Sequence, residues 1–129
     1  MIHSFFIFVP TAEVDENVIS YTEVIDWGVR YFRNPDRNND HFLILSYDDV
    51  FIMQNFSEIF YVINDAGNIL TGMYETDAIF SNEIKKKVYE ALKNNIVSVK
   101  DDRLKYIVER IMQLLTISIN LNKGIYFRF

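Results

Sequence analysis

The pattern of hydrophobic and polar positions predicts a strand and a helix at the start of the chain. Residues 2–9 form an apolar run that Pro10 ends, as in a buried strand. Residues 13–33 then carry apolar side chains at helical spacing, with acids at the beginning and arginines at the end, as the helix dipole favours. Residues 34–40 are rich in Asn and Asp and predict a loop.

Four short strands are predicted for the middle of the chain, near residues 41–47, 50–54, 58–64 and 68–75. Asp48 and Asp49 predict one tight connection, and Asp65-Ala66-Gly67 predicts another because Gly67 can adopt a positive φ. The first of these strands is apolar on both faces, which is typical of strands that are covered on both sides. We therefore expect either helices on both faces of the sheet or one face left open for another protein.

Two helices and a final strand are predicted for the last third of the chain. Residues 81–95 have helical spacing with Ser81 as the N-cap. A second helix begins after Ser98 and keeps its apolar stripe to about Leu121. Residues 126–129 predict a strand that is added to an edge of the sheet.

The predicted order of elements, β-α-β-β-β-β-α-α-β, indicates an α+β fold. We expect a mostly antiparallel sheet of five to six strands, with a central four-stranded meander, and three helices. Half of the residues are hydrophobic, which argues against disorder. Because domains cluster near about 100–150 residues, the 129 residues are expected to form a single domain, 1–129.

Composition narrows the classes of function. The chain has no cysteine, which excludes disulfides, thiolate metal sites and cysteine nucleophiles. His3 and His41 lack the spacing of metal ligands, and no glycine-rich phosphate loop or other catalytic motif is present. No apolar run approaches the ~18 residues of a membrane span, and the N-terminus lacks the basic region of a signal peptide. We therefore expect a cytoplasmic protein that is not an enzyme, with no metal, cofactor or membrane partner.

Charge is distributed unevenly along the chain. Residues 1–80 contain 13 acids and 3 bases, a net charge of −10, whereas residues 81–129 contain 5 acids and 10 bases, a net charge of +5. The segment 38–84 contains no lysine or arginine. Either the halves neutralise each other in the fold, with the lysine run 85–87 over the acidic sheet rim, or an acidic surface remains to steer a basic partner. Direct binding of nucleic acid is not expected, since carboxylates repel phosphates.

The predicted meander sorts the acids of this segment into two groups, because successive antiparallel strands place their turns alternately at opposite ends. One group, with two tyrosines beside it, is the predicted contact set for a partner: Asp48, Asp49, Asp65, Tyr47 and Tyr61. The opposite rim is a second candidate and holds Glu58, Glu75 and Asp77. Tyrosine is a favoured interface anchor, with a core position as the alternative for each ring. A solvated turn is the alternative for Asp48-Asp49.

The base-free segment 40–83 and a composition rich in Asn, Ile, Lys and Tyr resemble the immunity proteins of bacterial contact-dependent inhibition and related polymorphic toxin systems. The resemblance implies that the chain binds and neutralises a cognate toxin, frequently a nuclease, in the cytoplasm of the producing cell. A nuclease cleft is basic because it holds phosphates, so a carboxylate-lined rim can occupy it as a substrate mimic. A monomer is expected.

Two other functions remain open. In its topology the chain also resembles small adaptors of the longin, roadblock or profilin type, which act by dimerisation or scaffold binding. In that case a sheet edge formed by residues 2–9 or 126–129 would mediate self-association. A small enzyme would instead require a pocket with perturbed titrating groups, for which the sequence contains no signature.

Overall fold

A computed structural model describes residues 4–129, and four β-strands and five α-helices lie within them. The strands are β1 (Phe5–Phe8), β2 (Phe42–Leu45), β3 (Thr76–Ile79) and β4 (Ile125–Arg128). The helices are α1 (Tyr21–Phe32), α2 (Tyr47–Asn55), α3 (Ile59–Gly67), α4 (Asn82–Ile96) and α5 (Asp102–Leu121), and a 3-10 turn, Asn39–His41, precedes β2. Residues 2–3 of the first predicted strand, including His3, lie outside the described part of the chain.

The four strands form one antiparallel sheet in the order β2-β1-β4-β3. Phe6 of β1 pairs with Ile44 of β2 on one side and with Arg128 of β4 on the other. The strands nearest the two ends of the chain are therefore neighbours at the centre of the sheet, and β2 and β3 are its edges. The predicted α+β fold with an antiparallel sheet is confirmed. The prediction that residues 126–129 lie at an edge is wrong.

Helices cover both faces of the sheet. Alternate residues of β1 point to opposite sides: Phe6 and Phe8 belong to the cluster under α1, whereas Phe5 and Ile7 belong to the larger cluster under the other four helices. All four side chains are buried. This arrangement explains why β1 is apolar on both faces. Helices on both faces were the first of the two predicted alternatives, although Ile44 of β2, in the strand that carried the prediction, is 38% exposed.

The predicted strand at residues 50–54 is helix α2 instead. The Ser46 hydroxyl accepts a hydrogen bond from Asp49 N–H at 3.0 Å, and the Asp49 carboxylate accepts one from Ser46 N–H at 2.9 Å. This capping box satisfies two backbone donors and starts a helix where the sequence analysis placed a tight turn between strands. Short apolar runs fit a strand and a buried helix equally well, so periodicity alone did not separate them.

The predicted strand at residues 58–64 is helix α3, which buries Ile59 and Ile63 one turn apart. Gly67 ends this helix and does not form the predicted turn. Its missing side chain lets α3 lie close to α4, because a Cβ there would meet side chains at 3.2 Å. The left-handed residue is Asn68, with φ 52°.

Residues 68–75 connect α3 to β3 without regular structure, so the fourth strand of the meander is also absent. The Asn64 side chain holds this connection by donating to Thr71 O at 2.9 Å and accepting from Thr71 N–H at 2.7 Å. Within residues 4–129 the sheet therefore has four strands rather than five to six, and the helices number five rather than three. None of these helices is both long and apolar enough to cross a membrane.

Helices α1, α4 and α5 correspond to predicted helices, and the starts of α1 and α5 are shifted. α1 begins at Tyr21 because Ser20 and Glu23 form a capping box, so the acids of residues 13–16 precede the helix. Ser81 caps α4 as predicted. The cap of α5 is Asp101, whose carboxylate accepts from Leu104 N–H at 2.9 Å.

Gly28 allows α1 to lie directly on the sheet, because a Cβ at this position would be 2.5 Å from Cζ of Phe8. Replacing Gly28 by alanine should lower the free energy of unfolding by about 1–2 kcal/mol. Overpacking of the buried Phe8 ring outweighs the gain in helix propensity. Urea unfolding measures this change. The control is Thr22→Ala at an exposed position of α1, and equal stability of both variants would contradict the predicted contact.

Candidate protein-binding surface

Most carboxylates of the described residues are exposed and lack a cationic partner. Between side chains of residues 4–129 two ion pairs form, Arg103–Asp49 at 2.8 Å and Lys87–Glu83 at 3.9 Å. Ahead of α4, the following acids of the base-free segment are exposed and outside these pairs: Asp40, Asp48, Glu58, Asp65 and Glu75. Such uncancelled charge creates a negative potential that attracts cationic partners.

The structure distributes the predicted contact residues differently from a meander. Asp48 and Asp49 lie in the first turn of α2, and Asp65 lies on α3, so these acids do not line one end of the sheet. Among the residues of the opposite rim, Glu58 precedes α3, Glu75 precedes β3 and Asp77 lies within β3. The acids of the two predicted groups therefore belong to α2, α3, β3 and the chain between them, and not to the turns of a meander.

Asp49 has a structural role that the sequence analysis did not predict. Its carboxylate receives two hydrogen bonds from Arg103, at 2.9 Å from Nε and 2.8 Å from Nη2. These bonds lower the pKa of Asp49, although its burial acts in the opposite direction. Asp49 is buried and paired within the molecule, so its carboxylate is already occupied, and its role as a contact residue stays a prediction.

Asp77 is also engaged within the molecule. Its Oδ2 accepts a hydrogen bond from Leu70 N–H at 2.9 Å, and its Oδ1 accepts one from Ala78 N–H at 2.8 Å. The side chain is half-buried and ties the irregular connection to β3. Asp77 therefore keeps its charge near the surface while its oxygens are partly satisfied.

The lysine run 85–87 forms no ion pair with these acids. Lys85 is fully buried, and its ammonium group donates to Lys123 O at 2.6 Å, at the C-terminal end of α5 where the helix dipole favours a cation. Burial lowers the pKa of Lys85. The other two lysines are exposed, and Lys87 pairs with Glu83 of its own helix. No acid of the predicted contact set is paired with this run, so cancellation by the lysines is not observed.

Both tyrosines of the predicted contact set are exposed, Tyr47 by 53% and Tyr61 by 69%, which excludes the core position for either. Tyr47 is the first of three exposed aromatic rings on α2 and its C-cap. Its ring centroid lies 6.2 Å from that of Phe51, which lies 6.0 Å from that of Phe56. We call Tyr47, Phe51 and Phe56 the α2 aromatic stripe. The sequence analysis missed both phenylalanines because it assigned this segment to the sheet; the four-residue spacing of Tyr47 and Phe51 is the signal that would have placed them on one helix face.

A second acidic region borders α1. It is a groove of ≈ 440 Å³ whose lining includes Glu13, Asp15, Glu23, Asp26, Trp27 and Arg30. The sequence analysis placed the first two acids inside a helical turn and therefore missed the groove. Four carboxylates and one arginine leave this region negative as well.

A polar cavity of ≈ 500 Å³ lies between the chain before α1 and the start of β4. The Glu16 carboxylate accepts hydrogen bonds from Gly124 N–H at 3.0 Å and from the Tyr126 hydroxyl. Burial, and then this bond to Glu16, raises the pKa of Tyr126, and burial with the nearby charge of Asp77 raises the pKa of Tyr21. These phenols are hydrogen-bond donors at neutral pH. Among residues 4–129, no three His, Asp or Glu side chains are placed to hold a metal ion.

Comparison with known proteins adds a likeness in fold. No protein-family model and no curated protein matches the chain. A solved structure does match. The fold resembles that of the Neisseria DNA mimic protein DMP12. The TM-score is 0.71, with 19% sequence identity, and the match covers 98% of this chain and 100% of the DMP12 chain. The likeness to DMP12 therefore extends over nearly the whole chain and concerns the fold.

Replacing Asp49 by asparagine should lower the free energy of unfolding at pH 7 by about 1 kcal/mol. The asparagine side-chain oxygen can still accept the hydrogen bond from Ser46 N–H, so the change removes mainly the charge-assisted pair with Arg103. That arginine is half-exposed, so solvent screens the pair. Folding lowers the pKa of Asp49. The stabilisation is therefore present above its ordinary value of 3.8 and is lost as the pH falls through the lowered value.

Urea unfolding of the native and Asp49→Asn proteins, at neutral and strongly acidic pH, measures both effects. Asp48→Asn is the matched control, because Asp48 is the exposed neighbour in the same turn. A stability difference at Asp49 that persists unchanged in acid would contradict the assignment.

Proposed function

We propose that this chain is a non-catalytic, acidic protein that binds a basic protein at the surface where that partner holds nucleic-acid phosphates. The observation that carries the proposal is the set of exposed carboxylates between α1 and β3 that have no cationic partner among residues 4–129. The shared fold with a protein described as a DNA mimic supports the same interpretation.

Electrostatics gives this arrangement a physical rationale. A protein that binds nucleic acid presents lysine and arginine side chains to closely spaced phosphates, and those side chains attract any surface with a similar density of negative charge. Fields of one sign steer association, with rate constants approaching ~10⁸–10⁹ M⁻¹s⁻¹ at low salt. Carboxylates held on helices present their charge without folding on binding, which lowers the entropic cost of association.

The proposed contact surface is the α2–α3 face, with Asp48, Glu58, Asp65, Glu75 and Asp77 as its acids and Tyr47 and Tyr61 as its exposed rings. This set contains every predicted contact residue except Asp49. The chain binds as a monomer, in the cytoplasm, and takes no part in direct nucleic-acid contacts. In the described part of the chain β1 and β4 are both central strands, so neither offers the free edge that self-association of an adaptor would use.

Neutralising Asp48, Glu58 and Asp65 as D48N/E58Q/D65N should abolish capture of a DNA-displaceable partner. The immobilised chain is exposed to a lysate of its native cell, and retained proteins are released by duplex DNA and identified by mass spectrometry. The charge-matched control D102N/E90Q/E109Q changes three exposed acids on α4 and α5 and should retain the same proteins. Equal capture by both variants, or retained proteins that duplex DNA fails to release, would contradict the proposal.

Toxin immunity is the specific form of this function that we propose, with the basic nuclease domain of a cognate toxin as the partner. The acidic surface supports it because a nuclease cleft must hold phosphates. In that case the captured protein cleaves nucleic acid, and the chain stops the cleavage at a one-to-one molar ratio. A titration of cleavage of a labelled duplex against added chain tests this. Cleavage that continues with the chain in excess would exclude a nuclease toxin as the partner.

A further inference from the structure

We propose that the α2 aromatic stripe is a docking site for arginine side chains of the basic partner. This inference rests on the proposed function and deepens it, because it names the side chain that the surface recognises and the salt-resistant part of the binding. The net negative charge of the surface attracts both lysine and arginine, whereas flat aromatic rings favour the planar guanidinium group.

The stripe exposes a continuous aromatic surface. Phe56 is 73% exposed, Tyr47 53% and Phe51 41%, and their rings follow one another at 6.2 and 6.0 Å. Single exposed apolar residues are ordinary, but contiguous exposed apolar surface marks an interaction site. Aromatic rings are also the side chains that most often carry interface affinity.

The helix that carries the rings is fixed within the fold. Val50 and Met53 of α2 are fully buried in the core. The start of the helix is fixed by its capping box and by the pair between Asp49 and Arg103. At its end, Phe56 N–H donates to Ile52 O at 2.9 Å. A rigid aromatic surface loses little conformational entropy on binding.

Charge around the stripe specifies a cation. The exposed acids Asp48 and Glu58 are adjacent to the stripe in the chain, and the whole segment 38–84 supplies no base. Phe56 also lines a groove of ≈ 380 Å³ together with Glu58 and Asp101, in which Lys100 is the one base. A guanidinium group can donate hydrogen bonds to a carboxylate and stack on a neighbouring ring face at the same time.

The molecule already contains this recognition mode at the start of α2. Arg103 forms its two hydrogen bonds with Asp49 while its guanidinium carbon lies 5.1 Å from the centroid of the Tyr106 ring. Arg37 over Phe32 and Arg128 over Phe6 make similar contacts at 5.6 and 5.8 Å. The stripe offers the same combination of ring and carboxylate. Among the described residues, no arginine lies over its outer face.

Charge argues against the other occupants. A second copy would bring one predominantly acidic surface against another, which repels. Nucleic acid would bring phosphates against the same carboxylates. An arginine-bearing surface satisfies both the rings and the acids.

The test compares two peptides of equal length and charge, deca-arginine and deca-lysine, by isothermal titration calorimetry at low and at raised salt. The native chain should bind deca-arginine about 3- to 10-fold more tightly than deca-lysine, and the preference should persist at raised salt. The variant Y47L/F51L/F56L keeps apolar surface but has no ring faces. It should bind both peptides equally, with deca-lysine affinity unchanged.

Two controls isolate the stripe. Phe80→Leu removes an exposed ring that lines a different cavity and should keep the arginine preference. The neutralised D48N/E58Q/D65N chain should bind both peptides more weakly, with the ratio of the two affinities unchanged. Circular dichroism and sedimentation confirm that the leucine variant is folded and show its size.

The outcomes separate this inference from the proposed function. Equal binding of both peptides by the native chain, or an arginine preference that survives in the leucine variant, would overturn the docking site and leave the acidic binding function standing. A native dimer that the leucine substitutions dissociate would show that a second copy occupies the stripe and would also overturn it. Failure of both peptides to bind, together with capture that duplex DNA does not displace, would overturn the proposed function itself.

Discussion

The pairing of β1 with β4 is the interaction on which the rest of the fold depends. Ile7 pairs with Phe127 across nearly the whole length of the chain, and both side chains are fully buried. Because neither strand is an edge, each contributes core residues to both faces, and α1 and the group of four helices are packed against these residues. The two outer strands have their own protection, since Arg110 donates to Phe42 O on β2 and Asp77 binds Leu70 N–H beside β3.

This central sheet leaves the helices free to divide their two faces between core and surface. α2 is the clearest case, with Val50 and Met53 inside and Tyr47 and Phe51 outside. One acid, Asp49, is used to fix the helix through Arg103, and its neighbour Asp48 remains exposed. The buried Lys85 is used in a similar way at the end of α5. Asp49 and Lys85 thus have their polar partners within the molecule, whereas Asp48 is one of the exposed carboxylates that we propose for partner binding.

Sequence reasoning identified the fold class, the position of α4 with its Ser81 cap, the stripe of α5 and the acidic, base-free segment. It failed for residues 47–67, where short apolar runs fit a strand and a helix equally well. The capping box of Ser46 and Asp49 was the local signal that could have separated them. The pairing of β1 with β4 and of Asp49 with Arg103 depends on contacts distant in sequence, which a single chain without homologues does not reveal. The exposure of Tyr47 and Tyr61 agreed with the predicted interface role, although the meander used to derive it does not exist.

The account depends on one claim, that the acidic surface and nucleic acid compete for the same site on a partner. The most direct measurement is the dissociation constant between this chain and its captured partner at increasing concentrations of duplex DNA. Mutual exclusion predicts that the apparent dissociation constant rises linearly with the concentration of free DNA, with no ternary complex. A dissociation constant that DNA leaves unchanged, with all three molecules in one complex, would contradict the account.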